Sequence, residues 1–431
     1  MTVFTPSSPR RLFFTVLALT TLLKVWLAIA IPFIGDEAYF YQWGAHVDWG
    51  GFYDHPPMAG WWLWALQQLS SHPLVLRLPA IALWIVITFG MMDLLPRLQA
   101  QAPERRWLLG SLFLLLPFSW GLNLITTDTP LIFFLFFSGY AFVRAELADD
   151  YRWYAAAGVL LGLALLSKYF AGLLAIAYAV YLLPRRGGLP LLLVVALCAL
   201  PFMLLNLAWN ATHCWNNILF NLMNRNQGAQ FSLSTVGIYV VMMIYLVTPW
   251  MGWQLLTSRG WRLHWRLVAL FAVPFTLFLL LSFWKSIGLH WVLAFLPFVY
   301  LVAGLQLSDE QLERARRWVL WLGRWCWWPG SYVARPVWAP ALVQTDWVAL
   351  PPIIWITLVY AAVAASALTF VLLQYAALRL PSAKVMAYTY LTPSWVILWE
   401  IALGKGAPPA LVLGGVALSI TALALLLKDE H

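Results

Sequence analysis

Acidic and imidazole side chains, among them Asp36, Glu37, His46, Asp54 and His55, crowd into the stretch GDEAYFYQWGAHVDWGGFYDHPP, residues 35–57, directly after a long apolar segment. Carboxylates at such a point can take a proton from an acceptor hydroxyl, orient that acceptor, or hold a cation. Three further polar outliers have chemistry to offer: Asp128 in TTDTP, Lys168 in LLSKYF and Arg225 in NLMNRNQG. A phosphate is a natural partner for an ammonium such as Lys168, and the planar fork of Arg225 suits the same anion. The plainer alternatives are solvated loop charges for the acids and snorkelling to lipid headgroups for Lys168 and Arg225. Snorkelling is the favoured account of Lys24, and packing that of His290. His213 and Cys214 do not make a metal site, and Cys198, Cys214 and Cys326, odd in number and widely spaced, read as structural. Asn210 to Thr212 fits a glycosylation acceptor pattern but carries little weight. Walker, dinucleotide-binding, nucleophile-elbow and HExxH motifs are absent from the sequence, so nucleotide hydrolysis and metalloprotease chemistry have no support.

The elements that must position these residues are membrane helices. The chain has 431 residues, of which 63% are hydrophobic and 10% charged, and its mean hydropathy is +0.78, outside the range of a soluble domain. The expected fold class is an all-α polytopic membrane protein. Apolar runs fall at 12–33, 74–95, 107–125, 130–147, 153–167, 169–183, 189–209, 234–256, 267–284 and 291–307, the fifth and sixth being short for a bilayer. The first is expected to be a retained helix, because no A-x-A-like cleavage site follows it. The net charge of +9 reflects Arg and Lys between spans and not affinity for nucleic acid. With a cytoplasmic N-terminus, alternate connections carry Arg97, Arg105 and Arg106, then Arg144 and Arg152, Arg185 and Arg186, Arg259, Arg262 and Arg266, and Arg314, Arg316 and Arg317. The opposite set has only Arg77, Lys168, Arg225 and Lys285. That asymmetry puts the DEAYFY loop, TTDTP, SKYF, the long loop 210–231 and KSIGLHW together on the outer face.

The ordered series DEAYFYQW, YDHPPM, TTDTPL, GLALLSKYF and a WN with a downstream Arg resembles bacterial GT-C glycosyltransferases, the branch that holds dolichyl-phosphate-mannose-type protein mannosyltransferases and the lipid A aminoarabinose transferase. The likeness runs over about residues 10–305. It implies a GT-C-like helical bundle, the active site being formed by outer-face loops on the periplasmic side of a bacterial inner membrane; counted with the apolar runs of the tail, the whole chain is expected to have about 13 to 14 transmembrane helices. It implies an inverting transfer of a sugar from a polyprenyl phosphate to a lipid or glycan acceptor. Asp36 is then the catalytic acid-base residue with Glu37 beside it. Lys168 and Arg225 are the donor-phosphate ligands, and Asp54, His55 and Asp128 face the acceptor or a cation. A divalent ion at Asp54 is the one cofactor the resemblance allows. His55 stands where the aminoarabinose branch has Lys, which departs from that branch's substrate and metal pattern.

The resulting division is a glycosyltransferase bundle over 1–310, a Trp-, Pro- and Arg-rich linking segment over 311–345 and a three-helix module over 346–431. The module resembles the last helices of an EamA-type drug/metabolite transporter. This suggests a flippase-like role for lipid-linked sugars, or docking of a partner transporter subunit, as the alternative function. Keeping Arg379, Lys384 and Lys428 inside requires 318–342 to cross the membrane as well.

Overall fold

In a computed structural model, the described residues are 8–31, 33, 35–99, 104–121, 124–226, 229–257 and 264–320. All belong to the first of the two units, Met1–Gly330 and Ser331–His431, into which the chain divides. The EamA-like module, its three spans and most of the 318–342 crossing lie outside the described residues. The linking segment begins as helix over 309–320, with Leu312, Ala315 and Val319 buried. No strand occurs among the described residues.

Helix α1, Pro9–Ala30, starts where Ser8 caps the chain and Pro9 presets its first turn. Helices α2 (Gly35–Ala45) and α3 (Met58–Gln67) follow, then α4 (Pro73–Leu76) and α5 (Leu78–Leu98), α6 (Arg105–Leu115), α7 (Pro117–Gly121), α8 (Asp128–Ala148), α9 (Tyr151–Leu165), α10 (Gly172–Leu182), α11 (Gly188–Thr212) and α12 (Asn216–Leu222). The series closes with α13 (Leu233–Val247), α14 (Pro249–Thr257), α15 (Trp265–Ser282), α16 (Leu289–Val292) and α17 (Leu296–Gln306). Among the described residues, 6 helices are long and apolar enough to cross a membrane, or 7 if the bent pair α13 and α14 is one span. The chain is a multi-pass membrane protein.

Two of the expected spans are interrupted, each before a proline. Leu116 adopts φ −62°, ψ 136° because Pro117 disfavours the helical conformation in its predecessor, and the run 107–125 divides into α6 and α7. The run 234–256 bends by 87° between α13 and α14. Thr248 sits there at φ 64°, ψ 140°, unfavourable ground for a β-branched residue. The Leu246 carbonyl released by the break is recovered by the Tyr300 hydroxyl at 2.8 Å.

Close approach of α9 and α11 depends on two glycines one turn apart. A Cβ at Gly158 would meet the Val195 carbonyl oxygen at 2.4 Å, and one at Gly162 would meet the Phe202 ring at 2.3 Å; small residues four apart allow this kind of helix contact in a bilayer. Ser138 of α8 shares hydrogen bonds of 2.8 Å with the Ala157 carbonyl and the Tyr178 hydroxyl, joining α8, α9 and α10. Outward faces of α11 and α13, including Leu193, Leu197, Leu204 and Val241, remain exposed and apolar, as lipid contact requires.

Lys24 does not snorkel. It is buried between α1 and α5, its Nζ donating to the Ile81 carbonyl at 3.3 Å, because its position within α1 faces the bundle and leaves no path to a headgroup. At the arginine-rich end, Asp93 accepts two bonds from Arg97, at 2.9 and 2.8 Å, and one from the Tyr140 hydroxyl at 2.6 Å. Glu146 there accepts from Tyr154, from Tyr181 at 2.6 Å and from Arg185 at 2.5 Å.

Candidate active site

The stretch expected as a loop after α1 is helix α2, whose first turn carries both Asp36 and Glu37. Adjacent helical residues point about 100° apart, and the two carboxylates part company accordingly. Glu37 turns inward and is 1% exposed. Arg77 grips it with both arms, Nε to Oε1 at 2.8 Å and Nη2 to Oε2 at 2.5 Å. The third guanidinium nitrogen donates to the carbonyls of Ala28 and Ile31 at 2.9 and 2.7 Å, and the Ile125 amide donates to Glu37 Oε1 at 3.3 Å. This pair ties the end of α1 to α2, α5 and the 124–127 turn. Asp36 is exposed to a cavity, with no hydrogen-bond or ion-pair partner among the described residues.

The YDHPP loop is held by a ladder of asparagines. Asn206 of α11 and Asn217 and Asn221 of α12 donate their amides at 2.8 Å to the carbonyls of Gly50, Phe52 and Asp54. Three amides spread over two helices thus fix the loop. Gly50 is needed because a Cβ there would come within 2.4 Å of Trp209, whose indole donates to Asp48 at 2.9 Å. The Met58 amide closes the other end on the Leu166 carbonyl at 3.0 Å.

Asp54 is thereby set against Tyr39, whose hydroxyl donates to Oδ1 at 3.2 Å. His55 Nδ1 lies 3.1 Å from Asp54 Oδ2, near enough to pair though not aligned as a hydrogen bond. Burial alone would raise the Asp54 carboxyl, but His55 and the Tyr39 hydroxyl outweigh it and hold the group below the ordinary carboxylate range. Burial, with the Asp54 charge, pushes the Tyr39 hydroxyl up to about 12. TTDTP winds into the first turn of α8, where Asp128 Oδ1 accepts from Lys168 Nζ at 2.8 Å. His290 Nε2 stands 3.9 Å from Asp128 Oδ2. Packing is therefore not the whole account of His290, which is half exposed to the same cavity.

That cavity, of about 380 Å³, is lined by Asp36, Asp54, His55, Asp128, Lys168 and Arg225 together with Tyr39 and His290. Glu37 is not in its wall. A second, mostly apolar cavity of about 450 Å³ opens on the other side of Arg225, walled by Tyr169, Phe170, Ile218, Leu222, Leu281 and Trp291, with Asn221 and Lys285. Arg225 belongs to both. Its Nη1 donates to Asn221 Oδ1 at 3.2 Å, so the asparagine that fixes Asp54 also orients the guanidinium.

The chain resembles known proteins in sequence and fold. Residues 54–209 match the family described as Dolichyl-phosphate-mannose-protein mannosyltransferase. Lipid A galacturonosyltransferase RgtD of Rhizobium johnstonii is 26% identical over 278 residues, 59% of this chain, and the chain spans 56% of that protein's length. The crystal structures of ArnT from Cupriavidus metallidurans superpose with TM-scores of 0.53 in the apo state and 0.56 bound to undecaprenyl phosphate, at 16% and 17% identity. These superpositions cover 96% of this chain and 74% and 75% of ArnT. The chain has the GT-C fold.

In this GT-C bundle the two cavities lie at the end opposite the arginine-rich connections. No group of three or more His, Cys, Asp or Glu side chains is assembled to hold a metal ion among the described residues. Asp54 accepts from Tyr39 and lies beside His55, whose ring sits against Phe40 and Trp43. Asn210 of the glycosylation pattern is buried and donates to the Asn206 carbonyl at 2.9 Å, turned away from any modifying enzyme. Sequence reading put Arg77 at the outer face but missed its pairing with Glu37, and it missed Tyr39 and the asparagine ladder. Of these, only the ladder left a trace in the sequence, the density of Asn in WNATHCWNNILFNLMNRN.

Proposed function

We propose that this chain is a membrane glycosyltransferase that moves a sugar from a polyprenyl-phosphate donor to lipid A, another envelope glycan or a protein on the periplasmic side of a bacterial inner membrane. The observation that carries the reading is the Asp36 carboxylate, without a hydrogen-bond or ion-pair partner among the described residues, facing a cavity that ends at Arg225, beyond which the wall turns apolar. A lipid-linked sugar has that polarity: a hydroxyl-rich head, one phosphate and an isoprenoid tail.

In the reaction, the acceptor oxygen attacks the anomeric carbon while the bond from that carbon to the phosphate oxygen breaks. Asp36 takes the hydroxyl proton, and the phosphate leaves with the bonding electrons, which inverts the anomeric centre. Arg225 neutralises the charge that develops on the leaving group, where preorganised electrostatics give most benefit. Lys168 is already paired with Asp128, so the two together orient the sugar head. Asp54, fixed by Tyr39 and the asparagine ladder, orients the acceptor. Glu37 acts through Arg77 as a positioning residue that fixes α2, and so aims Asp36. The second cavity takes the first isoprene units, in keeping with the binding of undecaprenyl phosphate by the similarly folded ArnT.

Mass spectrometry of lipid A, phospholipids and envelope glycans from cells with and without the gene tests this. A sugar mass increment should depend on the gene and vanish with Asp36→Asn. An increment that survives Asp36→Asn at normal protein level would remove Asp36 from the chemistry.

A further inference from the structure

Resting on that reading, we infer that Lys285 is a second ligand for the donor phosphate and the residue that receives the product's extra negative charge. The connection KSIGLHW brings Lys285 back to the boundary where the polar cavity gives way to the apolar one. Its Nζ donates to the Arg225 carbonyl at 2.8 Å and sits 5.8 Å from the centre of the Trp291 ring. It therefore shares a wall with the Arg225 guanidinium, the group common to both cavities.

Three observations favour this pairing over one of Arg225 with Lys168. Lys168 is committed to Asp128 at 2.8 Å and lines only the polar cavity, where the sugar must lie. Of these two cavities Lys285 lines the apolar one, where the wall beyond Arg225 would take the lipid. A phosphate joining the two halves of the donor meets Arg225 from one side and Lys285 from the other. Burial and the neighbouring Arg225 charge both lower the Lys285 pKa, which marks a place where an anion between the cations would relieve their crowding. The donor is a phosphodiester with one negative charge, and the product is a monoester with up to two. Two cations match the product better than the substrate, which favours bond breaking over simple retention of donor.

The test is binding to the full-length chain in nanodiscs, with a polyprenyl phosphate and the matching uncharged polyprenol as probes. Wild type should prefer the phosphate. Lys285→Met should weaken polyprenyl phosphate about tenfold or more while leaving polyprenol unchanged, and Lys285→Arg should stay within about threefold of wild type. Equal affinity of wild type and Lys285→Met for the phosphate would overturn the assignment and leave the glycosyltransferase reading standing. Equal weakening of both lipids by Lys285→Met would reduce Lys285 to a structural role. Failure of wild type itself to prefer the phosphate would strike at the glycosyltransferase reading.

Discussion

The two ends of the bundle treat their carboxylates in opposite ways. At the arginine-rich end, Asp93 and Glu146 are each saturated by Arg and Tyr donors. At the cavity end, Asp36 has no partner among the described residues, Asp54 holds a tyrosine and an unaligned histidine, and Asp128 keeps one oxygen for Lys168 while the other faces His290 across 3.9 Å. A fully bonded buried charge fixes helices; one left with unused lone pairs beside a cavity can bind or transfer a proton. Glu37 sharpens the contrast, because it lies at the cavity end yet is saturated in the manner of Glu146. Saturation, more than location, separates framework from chemistry.

Substitutions can break that comparison. The largest stability effect is expected for Arg77→Met, which strands Glu37 in the interior and should cost about 3–5 kcal/mol. Thermal unfolding in detergent would show it, and a wild-type melting temperature would mean the clamp is not structural. Glu146→Gln at the opposite end weakens three bonds and leaves only the half-exposed Arg185 without its counter-ion, so a loss of about 1–3 kcal/mol is expected, with transfer per folded molecule unchanged. A selective loss of transfer there would erase the distinction between the ends. Asn221→Ala removes one ladder bond and the Arg225 support, at about 1 kcal/mol. Its transfer rate should fall by more than its stability does, since Arg225 loses its orientation; proportional losses would argue that Asn221 only holds the loop.

The smallest effect is one of pH. The Asp54 carboxyl lies below its ordinary value, so the unfolded chain takes up its proton first. The stability Asp54 contributes is present above the unfolded value of about 4 and is lost as pH falls through the folded one. Tyr39→Phe removes a donor to the carboxylate and should shift that acid limb of the melting curve to higher pH. An unmoved limb would show that the Tyr39 bond does not matter to Asp54.

The sequence carried the alternation of the bundle, because charge asymmetry between connections is written locally. It also carried the convergence of Asp36, Asp54, His55, Asp128, Lys168 and Arg225, because parity alone sends their connections to one end. It did not separate Asp36 from Glu37. Neighbours in a presumed loop act together, whereas neighbours in a helix diverge, and the helical state of 35–45 is not visible in so aromatic a stretch. Arg77 was hidden by its distance along the chain, as was the burial of Lys24, which depends on which face of α1 meets α5. The break at Thr248 had only a Thr-Pro within an apolar run to announce it.

The most direct measurement is a side-by-side assay of Asp36→Asn and Glu37→Gln, reading sugar transfer and thermal unfolding on the same preparations. Asp36→Asn should lose about a hundredfold or more of the transfer rate with an unchanged unfolding temperature, and Glu37→Gln should lose stability first. An Asp36→Asn protein that transfers sugar at the wild-type rate, or that loses activity only in step with its stability, would contradict the account.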